Sequence, residues 1–273
     1  MIKSRYYIYI VLALLLFSLN MDAQKVKKPK KSKKYEPVEI PMPDVEAEKA
    51  MMDHSPLYAE EPNMDFGLQP TGNGAHGLDV SHYQGNINWT EVAKDEHATY
   101  VYIKATEGKN LIDNKYQYNF NQAKKAGIMT GSYHFYRPNV SSKVQLDNML
   151  SVVDVKRQDL IPMIDVEVGP KGMSAETFCQ NLENFLEMVT EAFGKRPIIY
   201  TGRNFYNKYF SDGRFKHYKL MIAFYSSEEP VLYNDADYVI WQYTPSGSAK
   251  GIRGDVDKSR FHGRHSLRDI MFR

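Results

Sequence analysis

Two apolar periodicities alternate along the chain from about Asn73 onward. Short runs rich in Val, Ile and Tyr predict strands at Gly77–Val80, Tyr100–Lys104, Thr130–Phe135 and Ile161–Glu167. Further strands are expected at Pro197–Thr201, Leu220–Tyr225 and Tyr238–Tyr243, with an eighth near Gly254–Asp257. Several of these runs are apolar at consecutive positions, the mark of strands covered on both faces. Between them the spacing changes to that of a helix. In Ala175–Phe193, the residues Phe178, Leu182, Phe185, Leu186, Val189 and Phe193 fall on one stripe. Ser174 is placed to cap its first turn and Gly194 to end its last. Tyr116–Ala126, closed by Gly127, and Val144–Val155 predict two more helices.

Strand alternating with helix predicts a parallel sheet, and seven or eight such strands predict closure into a barrel. Only the stretch 226–237 separates the strand ending at Tyr225 from the one starting at Tyr238. That is too short for a full helix with two turns, so the last strands should lose their helices. The expected fold is α/β, a TIM-like barrel. No glycine-rich phosphate loop follows any strand, which argues against an open nucleotide-binding sheet.

The first 72 residues lack this pattern. Lys3 and Arg5, the uncharged run Tyr6–Leu19 and then Met21-Asp22-Ala23 predict a secretory signal over residues 1–23. The run is shorter than the roughly 20 residues a bilayer span needs. Residues 24–72 begin with seven lysines in Lys25–Lys34 and continue with acids and prolines. Such a stretch buries too little apolar surface to offset its ordering entropy, and is expected to be a disordered linker. Residues 73–273 remain as the folded domain. The expectation is an exported monomer with no membrane span once the signal is removed.

Composition narrows the chemistry. A net charge of +2 gives no argument for nucleic acid. The single cysteine, Cys179, excludes a disulfide framework and a Cys-based zinc site. Within the helical stripe it reads as a small buried thiol. No HExxH is present, and no metal or organic cofactor is expected. Absence of a G-x-S-x-G elbow removes the usual serine hydrolase.

In barrels of this kind, reactive side chains sit at the C-terminal ends of strands. Four acids fall there: Asp79, Asp165, Glu167 and Asp257. Asp165 and Glu167 are two apart on one strand, so they share a side at about 7 Å. Mutual repulsion raises the proton affinity of one of them. A protonated carboxyl beside an ionised one is what glycosidic cleavage requires. Because both approach from one wall, Glu167 is assigned as general acid. Asp165 then orients a substrate group, such as an acetamide acting as internal nucleophile; Asp79 or Asp257 as nucleophile or base is the competing assignment. His82, Tyr83, Tyr133, His134, Tyr136, Tyr200, Trp241 and Tyr243 fall at or just beyond strand ends, where rings could stack on sugars.

Seven segments, in this order, resemble glycoside hydrolase family 25, the Chalaropsis-type lysozymes. They are HGLDVSHYQG (76–85), YVYIKATEG (100–108), GSYHFYRP (131–138), PMIDVE (162–167), PIIYT (197–201), IWQYT (240–244) and GIRGDVD (251–257). The resemblance implies an N-acetylmuramidase cutting the β-1,4 bond between N-acetylmuramic acid and N-acetylglucosamine in peptidoglycan glycan strands. It implies five β/α units followed by three strands without full helices, and it maps the family's acids onto Asp79, Asp165, Glu167 and Asp257. Glu107 and Gln242, within these segments, join the candidate substrate-binding set. Lys258-Ser259 depart from the Leu-Asn that usually follows the last acid. Two other readings stay open: a catalytically silent glycan-binding module, and a hydrolase of a chitin-like polymer.

Overall fold

The computed structural model describes residues 75–94 and 98–273. The expected signal and linker lie outside the described residues. Strands β1 (His76–Val80), β2 (Ala98–Glu107), β4 (Met129–Phe135), β5 (Met163–Asp165), β6 (Ile198–Gly202), β7 (Lys219–Ala223), β8 (Ile240–Gly247) and β9 (Val256–Phe261) close into one barrel through a β1–β2 pairing. The two-residue β3 (Leu111–Ile112) adds a short hairpin to β2. Helices α1 (Trp89–Lys94), α2 (Tyr116–Lys125), α3 (Ser142–Leu150), α4 (Ala175–Phe193) and α5 (Arg203–Tyr209) follow β1, the β2–β3 hairpin, β4, β5 and β6. These are the five β/α units. β7 and β8 have none, and β9 is followed only by a single short turn of helix.

Strands β1, β2 and β4 to β8 run parallel around the barrel, whereas β9 is antiparallel to both β8 and β1. A chain leaving β8 with only residues 248–255 before the next strand can return only as a hairpin. That link sets the direction of β9, which extends past the expected Asp257 as far as Phe261.

Helix α4 shows how the sequence anchors the barrel. Ser174 Oγ accepts the Thr177 N–H at 3.0 Å, and Gly194 closes the helix in the left-handed region at φ 69°. Its stripe, Phe178 to Phe193, is buried together with Cys179. Full burial of each large side chain stabilises by about 1.5–3 kcal/mol. Cys179 is the expected inert thiol: burial pushes it up to about 11. The helix expected at Val144–Val155 starts earlier and ends at Leu150. Asp154 caps a separate turn there by accepting the Lys156 N–H.

The barrel floor is filled by Tyr100 and Tyr102, both fully buried. Their hydroxyls meet Ser259 Oγ at 3.0 Å and donate to the Ile161 carbonyl at 3.1 Å. Gly77 and Gly131 make room for these rings, since a Cβ would stand 2.1 Å from Tyr100 and 2.5 Å from Tyr102 ring carbons. A closed floor leaves one usable opening, at the carboxyl ends of the parallel strands. The tail after Phe261 forms only a short helix, α6 (Leu267–Ile270), capped reciprocally by Ser266 and Asp269.

Candidate active site

Inward positions are fixed by strand register. Asp79 lies opposite Asp257 across β1–β9, and Asp165 lies beside Phe135 and Tyr200 across β4–β5–β6. Val166 is fully buried on the other side of the wall. Its N–H donates to the Tyr200 carbonyl at 2.9 Å, and its own carbonyl accepts Thr201 Oγ1 at 2.8 Å. The extended backbone therefore continues past β5, and Glu167 follows Asp165 on the same side. Asp165 is 8% exposed, and its Oδ1 has no partner among the described residues. Asp79 is equally buried; Gln242 Nε2 donates to its Oδ2 at 3.2 Å, while Oδ1 is unpartnered in the same sense.

Burial decides the electrostatics. Asp165 is held well above the usual carboxylate range, first by desolvation and then by repulsion from Glu167. Glu167 is raised by desolvation as well, and the neighbouring Tyr200, Lys104 and Arg137 pull it partly back. Asp79 is pushed up to about 7 by burial. Glu107 is the exception. Burial would raise it, but Lys104 at 2.6 Å and Arg137, whose Nε donates at 2.8 Å, hold it below the usual range.

Lys104 is the functional residue that the sequence reading missed. It is 8% exposed and points inward, and its charge opposes the upward shifts of both Asp165 and Glu167. The signal was a lone lysine inside an otherwise buried strand, at an inward register position. Asp113 was also missed. Its Oδ2 accepts the His82 backbone N–H at 2.9 Å and lies 2.7 Å from His82 Nδ1, fixing the turn after β1. Tyr83 stacks on that imidazole at 4.2 Å and is 56% exposed at the rim.

The expected aromatic ring divides in two. Tyr133 and Tyr200 point inward and sense the charges of Asp165 and Asp257. The Tyr200 hydroxyl donates to Gln242 Oε1 at 2.8 Å, and Tyr225 donates to the same oxygen at 3.1 Å. Gln242 is thus oriented by two phenols to present its amide N–H to Asp79. His134, Tyr136, Trp241 and Tyr243 do not face the acids. His134 and Tyr136 pack against Phe185 under α4, both fully buried. Trp241 Nε1 donates to the Phe224 carbonyl at 2.7 Å beneath the Arg260 guanidinium, and the Tyr243 hydroxyl meets His76 Nδ1 at 3.1 Å. The alternation of strand side chains explains the correction: each is one position out of phase with an inward residue. Beyond Asp257, Lys258 lies along Gly247 on the outside, whereas Ser259 turns inward to Tyr100.

Among the described residues no cluster of His, Cys, Asp and Glu is arranged to hold a metal ion. What remains is a set of carboxylates above a closed floor, Asp79 and Asp165 buried and Glu167 and Asp257 part-exposed, with Asp165 and Glu167 on one side of a wall.

Comparison with known proteins agrees with this architecture. The family model for glycosyl hydrolases family 25 matches residues 78–252. The protein YegX of Escherichia coli K12 is 34% identical over 217 residues, covering 77% of this chain and 78% of that protein. Lysozyme M1 of Streptomyces globisporus is 32% identical, covering 70% of this chain and 69% of the other. The crystal structure of a bacterial lysozyme from Streptomyces coelicolor superposes with a TM-score of 0.64 at 32% identity, over 72% of this chain and 95% of that one. A family 25 glycosyl hydrolase from Bacillus anthracis gives the same TM-score at 27% identity, over 76% and 94%. This chain belongs to glycosyl hydrolases family 25 and is a glycoside hydrolase of the lysozyme, or muramidase, type.

Proposed function

We propose that this protein hydrolyses the β-1,4 bond between N-acetylmuramic acid and N-acetylglucosamine in peptidoglycan glycan strands, with Glu167 as general acid. The observation that carries this reading is the Asp165–Glu167 wall, where two carboxyls share one side of an extended segment and both are pushed up by burial. Such a pair retains a proton at a pH where an isolated carboxyl is ionised. Glu167 has the accessible edge, so it delivers that proton to the bridging oxygen as the bond breaks.

Asp165 lies deeper and orients the substrate acetamide, whose carbonyl oxygen attacks the anomeric carbon from the opposite face. Water then opens the resulting ring intermediate, and the Glu167 carboxylate takes up the water's proton. Asp79 is poorly suited to be a nucleophile near neutral pH, because with a value of about 7 it is largely protonated below that pH. It fits instead as a partner for the same acetamide, held in place by Gln242. His82 and Tyr83 form the sugar-facing rim. The expected export of the chain agrees with a wall polymer as substrate.

Release of reducing ends from purified peptidoglycan tests this assignment. Glu167→Gln should lower kcat by about a thousandfold while the glycan still binds. Product mass spectrometry should find muramic acid at the new reducing end. Unimpaired hydrolysis by the variant would remove Glu167 from the mechanism; N-acetylglucosamine at the reducing end would replace the proposed bond with another.

A further inference from the structure

The barrel end opposite the carboxylates carries a pattern that hydrolysis does not use. Three neighbouring parallel strands are each led in by two adjacent cations: Lys124-Lys125 before β4, Lys156-Arg157 before β5 and Lys195-Arg196 before β6. Because the strands are parallel neighbours, their N-terminal ends lie side by side at one end of the barrel. All of these cations except Lys124 are exposed. β9, running the other way, ends at the same face and is followed by exposed Arg264 and Arg268.

Two carboxylates at this end are bonded within the wall, while Glu187 and Glu191 near the end of α4 stay exposed. Asp159 accepts Lys124 Nζ at 2.6 Å and the Thr130 N–H at 3.1 Å, and Asp154 accepts the Lys156 N–H at 2.9 Å. Among the described residues, no ion pair neutralises Lys125, Lys156, Lys195 or Arg196. Within this field lies a cavity of about 300 Å³, lined by Lys124, Lys156, Arg157, Asp159 and Arg273. Arg273 is fixed there by donating to the Lys156 carbonyl at 3.0 Å.

We propose that this end of the barrel is a docking face for an anionic phospholipid surface, with the cavity receiving a phosphate headgroup. Exposed Lys and Arg near such a surface each strengthen attraction to it by roughly fivefold. Two features favour a bilayer over a linear polyanion. The cations are spread across the end of a barrel rather than along a groove. The sequence also sets a second lysine run, Lys25–Lys34, after the expected signal of residues 1–23. Docking by this end turns the carboxylate mouth away from the membrane, toward the wall. The orientation rests on the hydrolase reading; the binding does not.

The test is co-sedimentation of the full chain with vesicles of equal parts phosphatidylcholine and phosphatidylglycerol, with pure phosphatidylcholine vesicles as background. The variant Lys156→Glu/Arg157→Glu/Lys195→Glu/Arg196→Glu keeps the N-terminal lysine run and leaves every residue of the carboxylate mouth untouched. Its anionic-vesicle binding should fall by about a hundredfold, and wild-type binding should weaken as salt rises. Lys195→Gln/Arg196→Gln, a gentler change, should lose about tenfold. Cleavage of soluble glycan fragments should stay at the wild-type rate in both, which also reports that they are folded. Undiminished vesicle binding by the variants would overturn the proposal. Binding to poly(glycerol phosphate) without binding to vesicles would overturn it too, in favour of a wall polymer. Loss of hydrolysis in Glu167→Gln leaves vesicle binding untouched, so the two readings fail separately.

Discussion

Tyr133 and His134 are neighbours at the end of β4, as Trp241 and Gln242 are on β8, yet each pair serves two different layers. Tyr133 faces the barrel interior, within the field of Asp165, Asp257 and Asp79. His134 is turned outward, bonded to Thr106 Oγ1 at 2.8 Å and Gln145 Oε1 at 3.2 Å, with its ring 5.4 Å from that of Phe185. Burial there pushes its imidazole down to about 4, so it is neutral and holds strand to helix. Gln242 reaches Asp79 while Trp241 fills the outer wall. A polar or aromatic residue at a strand end joins the site only if its parity is inward; one position away the same residue types hold layers together.

The comparison is sharpened most by changing an inward acid. Asp165→Asn should lower kcat by about a thousandfold while leaving the fold intact. It should also move the alkaline limb of the kcat/KM profile to lower pH. With Asp165 gone, the repulsion the two carboxyls share is gone as well, and the last proton of the site leaves at lower pH. A variant with an unmoved alkaline limb would mean that the two carboxyls do not sense each other.

The outward counterpart is Trp241→Ala. It removes a fully buried ring, the 2.7 Å bond to the Phe224 carbonyl and the surface under Arg260. Loss of about 3 kcal/mol of stability is expected in urea unfolding. KM and kcat of the protein that remains folded should change little. A large rise in KM at unchanged stability would put Trp241 in the site after all and break the parity argument.

The same parity explains what was legible in the sequence. Helix α4 was readable to its end residues because Ser174 and Gly194 mark both caps, and the four acids were readable because strand ends are few. The shrinking gaps after Tyr225 gave the missing helices. The direction of β9 was not readable, since a short apolar run carries no sign of orientation and only the hairpin link decides it. The outward turn of His134 and Trp241 was hidden because a strand covered on both faces does not alternate in polarity, so its inward phase cannot be counted. Lys104 escaped notice for a different reason. Lysine normally reads as exposed, and only the closed barrel buries it beside compensating acids.

Asp79→Asn carries the comparison from kinetics to stability. The carboxyl of Asp79 has a folded-state value of about 7, raised from 3.8 by burial. A raised acid stabilises the fold fully below its unfolded value, and that contribution is lost as pH climbs through the folded one. Between about pH 4 and pH 7 the wild type should therefore lose stability relative to Asp79→Asn. Above pH 7 the variant should be the more stable by about 2 kcal/mol, allowing for relaxation around the charge. Unfolding curves at acidic and mildly alkaline pH check this. A difference that did not change with pH would show that Asp79 is not paying a burial cost.

The smallest effect separates charge from packing at a single inward position. Lys104→Met keeps most of the buried stem and removes the ammonium that opposes the rise of Asp165 and Glu167. Arg137 still holds Glu107, so that carboxylate is not stranded. Both members of the proposed catalytic pair should then keep their protons to higher pH. The two limbs, which report the two successive protonations of the Asp165–Glu167 pair, should both move upward by about one unit. Asp165→Asn moves the alkaline limb the other way, so the two variants form an opposed pair with one observable. If Lys104→Met shifted neither limb, the ammonium would matter only to Glu107, and Lys104 would rank with His134 as a residue that holds the wall in place.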